Sequence, residues 1–245
     1  VTHPDEPRPA LELMAQAGLK LGSLYPQPDH GPLEPVPRGN EVSLLVDSVA
    51  RIFGVEKYNL FYTSKSDVTT TLIADERPSL IIGESLLSAP EALLRFHLGR
   101  MFTLLATDSV LASILSPEQT QALTDALVGQ VFQNVGDQVL VQRVSKVLGW
   151  MGRRAITNAA RDLAKAPPDL SGWQHATNLS AVRGGLLACA DVATARSALH
   201  AMAGIPLPAP GAEDTWEVSR SVPCLGEVLA YAVSSEYAQA RSAVA

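Results

Sequence analysis

The chain has 245 residues, 47% hydrophobic and 18% charged, with a formal net charge of −6. That is apolar material for one large domain, or a domain with an appendage. Basic and acidic residues are intermixed, with no basic stripe and no aromatic-basic interleaving, so nucleic acid is not an expected partner.

Residues 1–40 are rich in proline (Pro4, Pro7, Pro9, Pro26, Pro28, Pro32, Pro35, Pro37). They read as an arm or linker with one short helix, Ala10 to Leu21, ending near Gly22; Tyr25 to Gly39 reads as extended chain. The rest, 41–245, reads as the main domain. Glu41 to Phe53 places Val42, Leu44, Leu45, Val49, Ile52 and Phe53 at helical spacing and stops at Gly54. Three strand-like runs follow: Lys57 to Thr63, Val68 to Ala74 and Ser79 to Gly83. Ser64 to Asp67 and Asp75 to Pro78 are the turns between them.

Pro90 to Leu115 carries the longest helical pattern, with Ser88 a candidate cap and a wide apolar face from Leu93 to Leu105. Pro117 to Phe132 is a further helix with Ser116 as cap. Helical pattern continues from Gly136 to Leu148, halts at Gly149, and resumes from Met151 to Lys165. A helix capped by Ser171 runs from about Gly172 to Asp191, and another from Thr194 to Ala203, ended by Gly204. Pro206 to Gly211 is a loop; Thr215 to Arg220 and Pro223 to Val244 give terminal helices. The pattern predicts an α+β, mainly α fold: a small N-terminal sheet packed on a central apolar helix, with a helical C-terminal part.

Two cysteines, Cys189 and Cys224, make no disulfide framework and read as free thiols of a reducing, cytoplasmic setting. No apolar run reaches membrane-spanning length and no signal peptide opens the chain. It begins at Val1 rather than Met, which fits a processed product or a piece of a longer chain or complex.

The order of elements resembles the HtpX-like and CAAX-prenyl-protease-like zinc metallopeptidases of the gluzincin group, over roughly residues 41–205. That family has a strand, then a helix of the form LxxVLGHELGHxxxxH, then a second helix with ExxADRxG. Leu93, Leu94, Phe96, Leu98 and Gly99 fall at the leading positions of the first phrase. Ala181, Arg183 and Gly185 fall in the second. The resemblance implies a zincin-like domain. It puts Arg100 and Leu104 where two zinc-binding His would stand, Met101 at the general base, Asn178 at the third ligand and Val182 at the Asp. Zinc needs imidazole, thiolate or carboxylate ligands, and Arg100 is a permanent cation. Without a base at Met101, no group accepts the water proton. The expectation is a degenerate site with no metal, no cofactor and no catalytic residue: a pseudoenzyme acting as a protein-interaction or scaffold module for a protein or peptide partner. Its candidate peptide-binding edges are Val68 to Ala74 and Ser79 to Gly83.

Three residues are candidate ligand or plug contacts: Arg100, His97 and Arg183. Arg100 would need an anion, either an internal partner such as Glu91, Asp108 or Asp191, or a bound peptide carboxylate. His97 reads as a helix histidine bonded to backbone or solvent; the sharper alternative is a metal shared with His175. Gly184-Gly185 reads as close helix packing, and Cys189 as a buried inert thiol rather than a hydrolase nucleophile. A polar cluster of Arg100, His97, Thr103 and Asn178 in one pocket would mark an enzyme of non-zinc hydrolytic chemistry. A cleft filled by Met101, Leu104 and Val182 would mark a binding module. Large apolar patches would mark a purely structural subunit of a larger assembly.

Overall fold

A computed structural model describes residues 2–67, 69–165, 170, 172–208 and 220–244. It is α+β with helices predominating. Helices α1 (Arg8–Ala17) and α2 (Glu41–Ile52) flank a 3-10 turn, Leu19–Leu24, and a two-residue strand, β1 (Glu34–Pro35). Strands β2 (Asn59–Thr63), β3 (Thr70–Ile73) and β4 (Ser79–Gly83) follow, then α3 (Glu84–Leu87), α4 (Glu91–Ala106), α5 (Val110–Ile114) and α6 (Pro117–Val128). The remainder is α7 (Gln138–Lys165), α8 (Trp173–Cys189), α9 (Val192–Ala203), α10 (Leu225–Ala232) and α11 (Ser235–Val244).

The four strands form one mixed sheet in the order β1-β2-β4-β3. β2 runs parallel to β4, while β3 pairs antiparallel to it. All five residues of β4 are buried, so the run Ser79-Leu80-Ile81-Ile82-Gly83 fills the middle of the sheet. Ser79 to Gly83 was an expected edge and is not one; β3, from the Val68 to Ala74 run, is an outer strand, with β1 at the opposite edge. Because Gly83 donates to the Thr69 carbonyl, residues 69, 71 and 73 face β4. The backbone groups of Thr70 and Leu72 therefore point away from the sheet.

The helix expected inside the N-terminal arm is a core element. α1 buries Ala10, Leu13, Met14 and Ala17 and packs on α7 and the 3-10 turn, where Leu21 is also fully buried. Its prolines act locally: one sits at the start of α1, where no helical N–H is lost. α2 starts from Asn40, whose side chain accepts from the Ser43 N–H at 2.7 Å.

The central run is two helices, not one. α4 ends at Ala106, and Asp108 takes φ 55°, a left-handed turn, before Ser109 leads into α5. No side chain caps α4; Pro90 holds the N-cap position expected near Ser88. α6 starts from a capping box, Ser116 with Gln119. Gly149 (φ 63°, ψ −170°) breaks α7 where the pattern halts. The expected cap Ser171 and helix Thr215 to Arg220 fall wholly or mainly outside the described residues, as does the end of the 206–211 loop.

α4 packs most extensively on α8, and the pair forms a wall between two cores. Leu94, Leu98, Met101, Phe102 and Leu104 of α4 join the larger core with the sheet, α1, α2, α6 and α7. Phe96 faces the smaller one, with Val182 and Leu186 of α8, Leu199 of α9 and Val228 and Tyr231 of α10. A helix buried on both sides is apolar nearly all round, as the sequence of α4 is.

Close approach of the two helices depends on small residues. A Cβ placed on Gly99 would lie 2.6 Å from both the Gly184 carbonyl oxygen and Ala188 Cβ. One on Gly184 would meet Thr103 Oγ1 at 1.6 Å, and one on Gly185 would meet the Phe96 ring and Arg100 Cγ at under 3 Å. Only glycine fits here. Among the described residues, no helix is long and apolar enough to cross a membrane.

Candidate functional site

The absence of a Cβ at Gly185 lets the aliphatic stem of Arg100 cross α8. Arg100 lines a cavity of about 160 Å³ with Asn178 and Val182 of α8, Leu199, Met202 and Ala203 of α9, and Pro223 and Cys224 ahead of α10. Val182 is buried, whereas Asn178 is exposed at the rim. Arg100 Nε is sealed from solvent and has no hydrogen-bond partner among the described residues. Burial holds its pKa down to about 10, with Cys224 acting weakly the other way; the group is still protonated at neutral pH. Burial pushes the Cys224 thiol up, against the pull of Arg100.

His97 lies one turn before Arg100 on α4 and lines a second cavity of about 280 Å³, with Leu86, Leu93, Ser197, Ala201 and Thr69 beside β3. It is 4% exposed, its Nδ1 has no partner among the described residues, and burial together with the Arg100 charge lowers its pKa to about 4. The imidazole is therefore neutral. Met202 borders both cavities and is 46% exposed.

The structure thus brings together Arg100, Asn178 and Val182, which are far apart in sequence, and places His97 next door. Met101 and Leu104 do not join them; both are packed in the larger core. Thr103 is fully buried and donates to the Gly99 carbonyl at 2.7 Å. Neither of the two expected fillings of the cleft is found as such.

Arg100 has no ion-pair partner among the described residues, contrary to the expectation of an internal bridge. Glu91 accepts instead from Arg95 at 2.7 Å, Asp191 caps α9 through the Ala193 N–H, and Asp108 lies in the turn after α4. The plugged arginine is Arg183. It is 9% exposed, donates from Nε to Glu227 at 2.5 Å, pairs with Glu236 at 3.2 Å and stacks 4.8 Å over the Tyr231 ring. It clamps α10 and α11 to α8 and does not line the cavity.

A second polar cluster carries no sequence signal. Buried Glu6 accepts from the hydroxyls of Ser109, at 3.0 Å, and Ser180, and Ser180 accepts from the His3 N–H at 2.7 Å. Cys224 was noted only as a free thiol, and Leu199, Met202, Ala203 and Pro223 were not noted at all. They come from segments whose apolar spacing marks them only as helix faces.

Zinc does not fit the donor set of the cavity. One thiol and one amide beside a guanidinium supply neither three ligands nor a tolerable charge for a dication. Among the described residues, no three His, Cys, Asp or Glu side chains form a metal-holding group; His175 is exposed on α8 and His97 buried. A larger cavity of about 390 Å³ lies between β2 and α2. Some of its polar groups bond one another: Tyr58 donates to Asp47, and Arg77 to the Tyr58 carbonyl.

No family model, curated protein or solved structure matches the chain.

Proposed function

We propose that this chain is a non-catalytic binding module with a degenerate metallopeptidase-like site, whose ligand seat is the cavity between α4, α8 and α9. The observation that carries the reading is the meeting of Arg100, Asn178 and Val182 in one cavity. These are positions that the resemblance assigns to two zinc ligands and a neighbouring acid. A half-buried cation, an amide and apolar walls form a surface suited to binding, while the Cys224 thiol in the lining is kept protonated by burial and has no general base beside it among the described lining residues. The adjacent His97 is neutral and lies in a separate cavity, which leaves an alternative hydrolytic chemistry without a convergent base. The outer strand β3 begins beside that second cavity, which supports an extended peptide as partner.

Zinc content of the purified protein, measured with a casein cleavage assay, tests the proposal. The expected result is substoichiometric zinc and no chelator-sensitive cleavage. One zinc per chain with chelator-sensitive cleavage would overturn it.

A further inference from the structure

We infer that the Arg100 cavity seats a carboxylate borne on a short aliphatic group, the chemistry of a peptide C-terminus ending in a branched apolar residue. This rests on the binding-module reading only in taking the cavity as a ligand seat; it does not need the peptidase resemblance.

Four observations point to that ligand. Arg100 is half-buried, its Nε is sealed from solvent, and it has no partner among the described residues, so at least that N–H of the guanidinium fork is unsatisfied. Among the described carboxylates on the adjoining elements, Glu227 is engaged with Arg183 and Asp191 caps α9. A carboxylate is the planar anion that the fork matches with two parallel bonds, and a single cation suits a monoanion better than a phosphate dianion. The remaining walls are mainly aliphatic, from Val182, Leu199, Met202 and Ala203.

Size and continuity narrow the choice further. A cavity of about 160 Å³ corresponds to roughly five water volumes, room for a carboxylate and a small side chain but not a nucleotide. Asn178 at the rim offers an amide to the second oxygen or to the preceding peptide group. Beyond the pliable thioether of Met202 lies the His97 cavity, where a preceding residue of the ligand would rest.

The test uses the full chain and three probes: N-acetyl-alanyl-leucine with a free carboxylate, its C-terminal amide, and isovalerate. Binding is read by calorimetry and by the rise in Tm with probe concentration. The free acid is expected to bind at least tenfold more tightly than the amide. Arg100→Met should abolish that preference, and Arg100→Lys should keep part of it. Isovalerate equal to the dipeptide acid assigns the seat to free small acids; weaker isovalerate assigns it to a chain terminus. Equal binding of acid and amide, no binding of either acid, or an unchanged preference in Arg100→Met overturns the inference. Should Arg100→Met not fold, the acid-to-amide ratio in the native chain and in Arg100→Lys decides. Zinc-dependent proteolysis would end the proposed function and leave this result standing, whereas loss of the acid preference would end this inference and leave the binding-module reading.

Discussion

Substituting Gly99 by alanine tests the α4–α8 seam most directly. The added Cβ would lie 2.6 Å from the Gly184 carbonyl oxygen and 3.0 Å from Gly185 Cα, both backbone atoms that no rotamer change can move. Relief requires the helices to part by roughly 1 Å, which loosens both cores that the pair divides. Overpacking of this kind costs about 3 kcal/mol, and the better helix propensity of alanine returns about 1 kcal/mol. The net loss of about 2 kcal/mol lowers Tm by about 4–8 °C in a chain of this size. Gly184→Ala differs in kind: its first clash, at 1.6 Å, is with Thr103 Oγ1, a side-chain atom. Adding Thr103→Ala should therefore recover part of the loss in Gly184→Ala and none in Gly99→Ala, a contrast that a double-mutant cycle in urea measures. Gly226→Ala, with nothing within 4 Å of the new Cβ, is the control and should leave stability level or slightly raised. A Gly99→Ala chain as stable as the native one would refute the argument that backbone contact sets the helix spacing.

Three further outcomes follow. The lowered pKa of His97, about 4, means that the unfolded chain takes up this proton first. Its contribution is thus whole above pH 6.5 and lost as pH falls from there to about 4, by about 3 kcal/mol in full. Urea titrations at several pH values should show His97→Leu losing less stability than the native chain across that window. Glu6→Ala removes the carboxylate that the buried Ser109 and Ser180 hydroxyls share, leaving Ser109 its bond to the Thr107 carbonyl, and should cost about 1–3 kcal/mol in the same assay. Arg183→Met leaves the mostly buried Glu227 without its guanidinium partner and should cost about 3 kcal/mol, with amide exchange rising first in α10 and α11.

Elements whose signal is local were legible in the sequence. The run 79–83 is a strand with those same bounds, Gly149 breaks α7 where its pattern stops, and Gly184-Gly185 is a packing seam. What failed was set by distant partners. Proline richness made residues 1–40 look like an arm with one short helix, yet Leu13 and Leu21 of that helical stretch are buried in the main core, which no local pattern encodes. The break at Asp108 lies inside a continuous apolar pattern, and its left-handed residue is an Asp rather than the glycine that would have announced it. Ser79 to Gly83 looked as fit for an edge as its neighbour, because strand order follows pairing rather than strand propensity. At the site, the lone cation Arg100 was legible, but its wall from α9 and the segment before α10 was not. The same limit hid Glu227 and Glu236, the two carboxylates that satisfy Arg183.

The Arg183 clamp has a topological consequence. Glu227, which it holds, also lies 3.7 Å from His3 Nε2, so the first described residues are tied to α10 at one spot. Trimming the residues ahead of α1 would therefore act far along the chain, on the seating of α10 against α8.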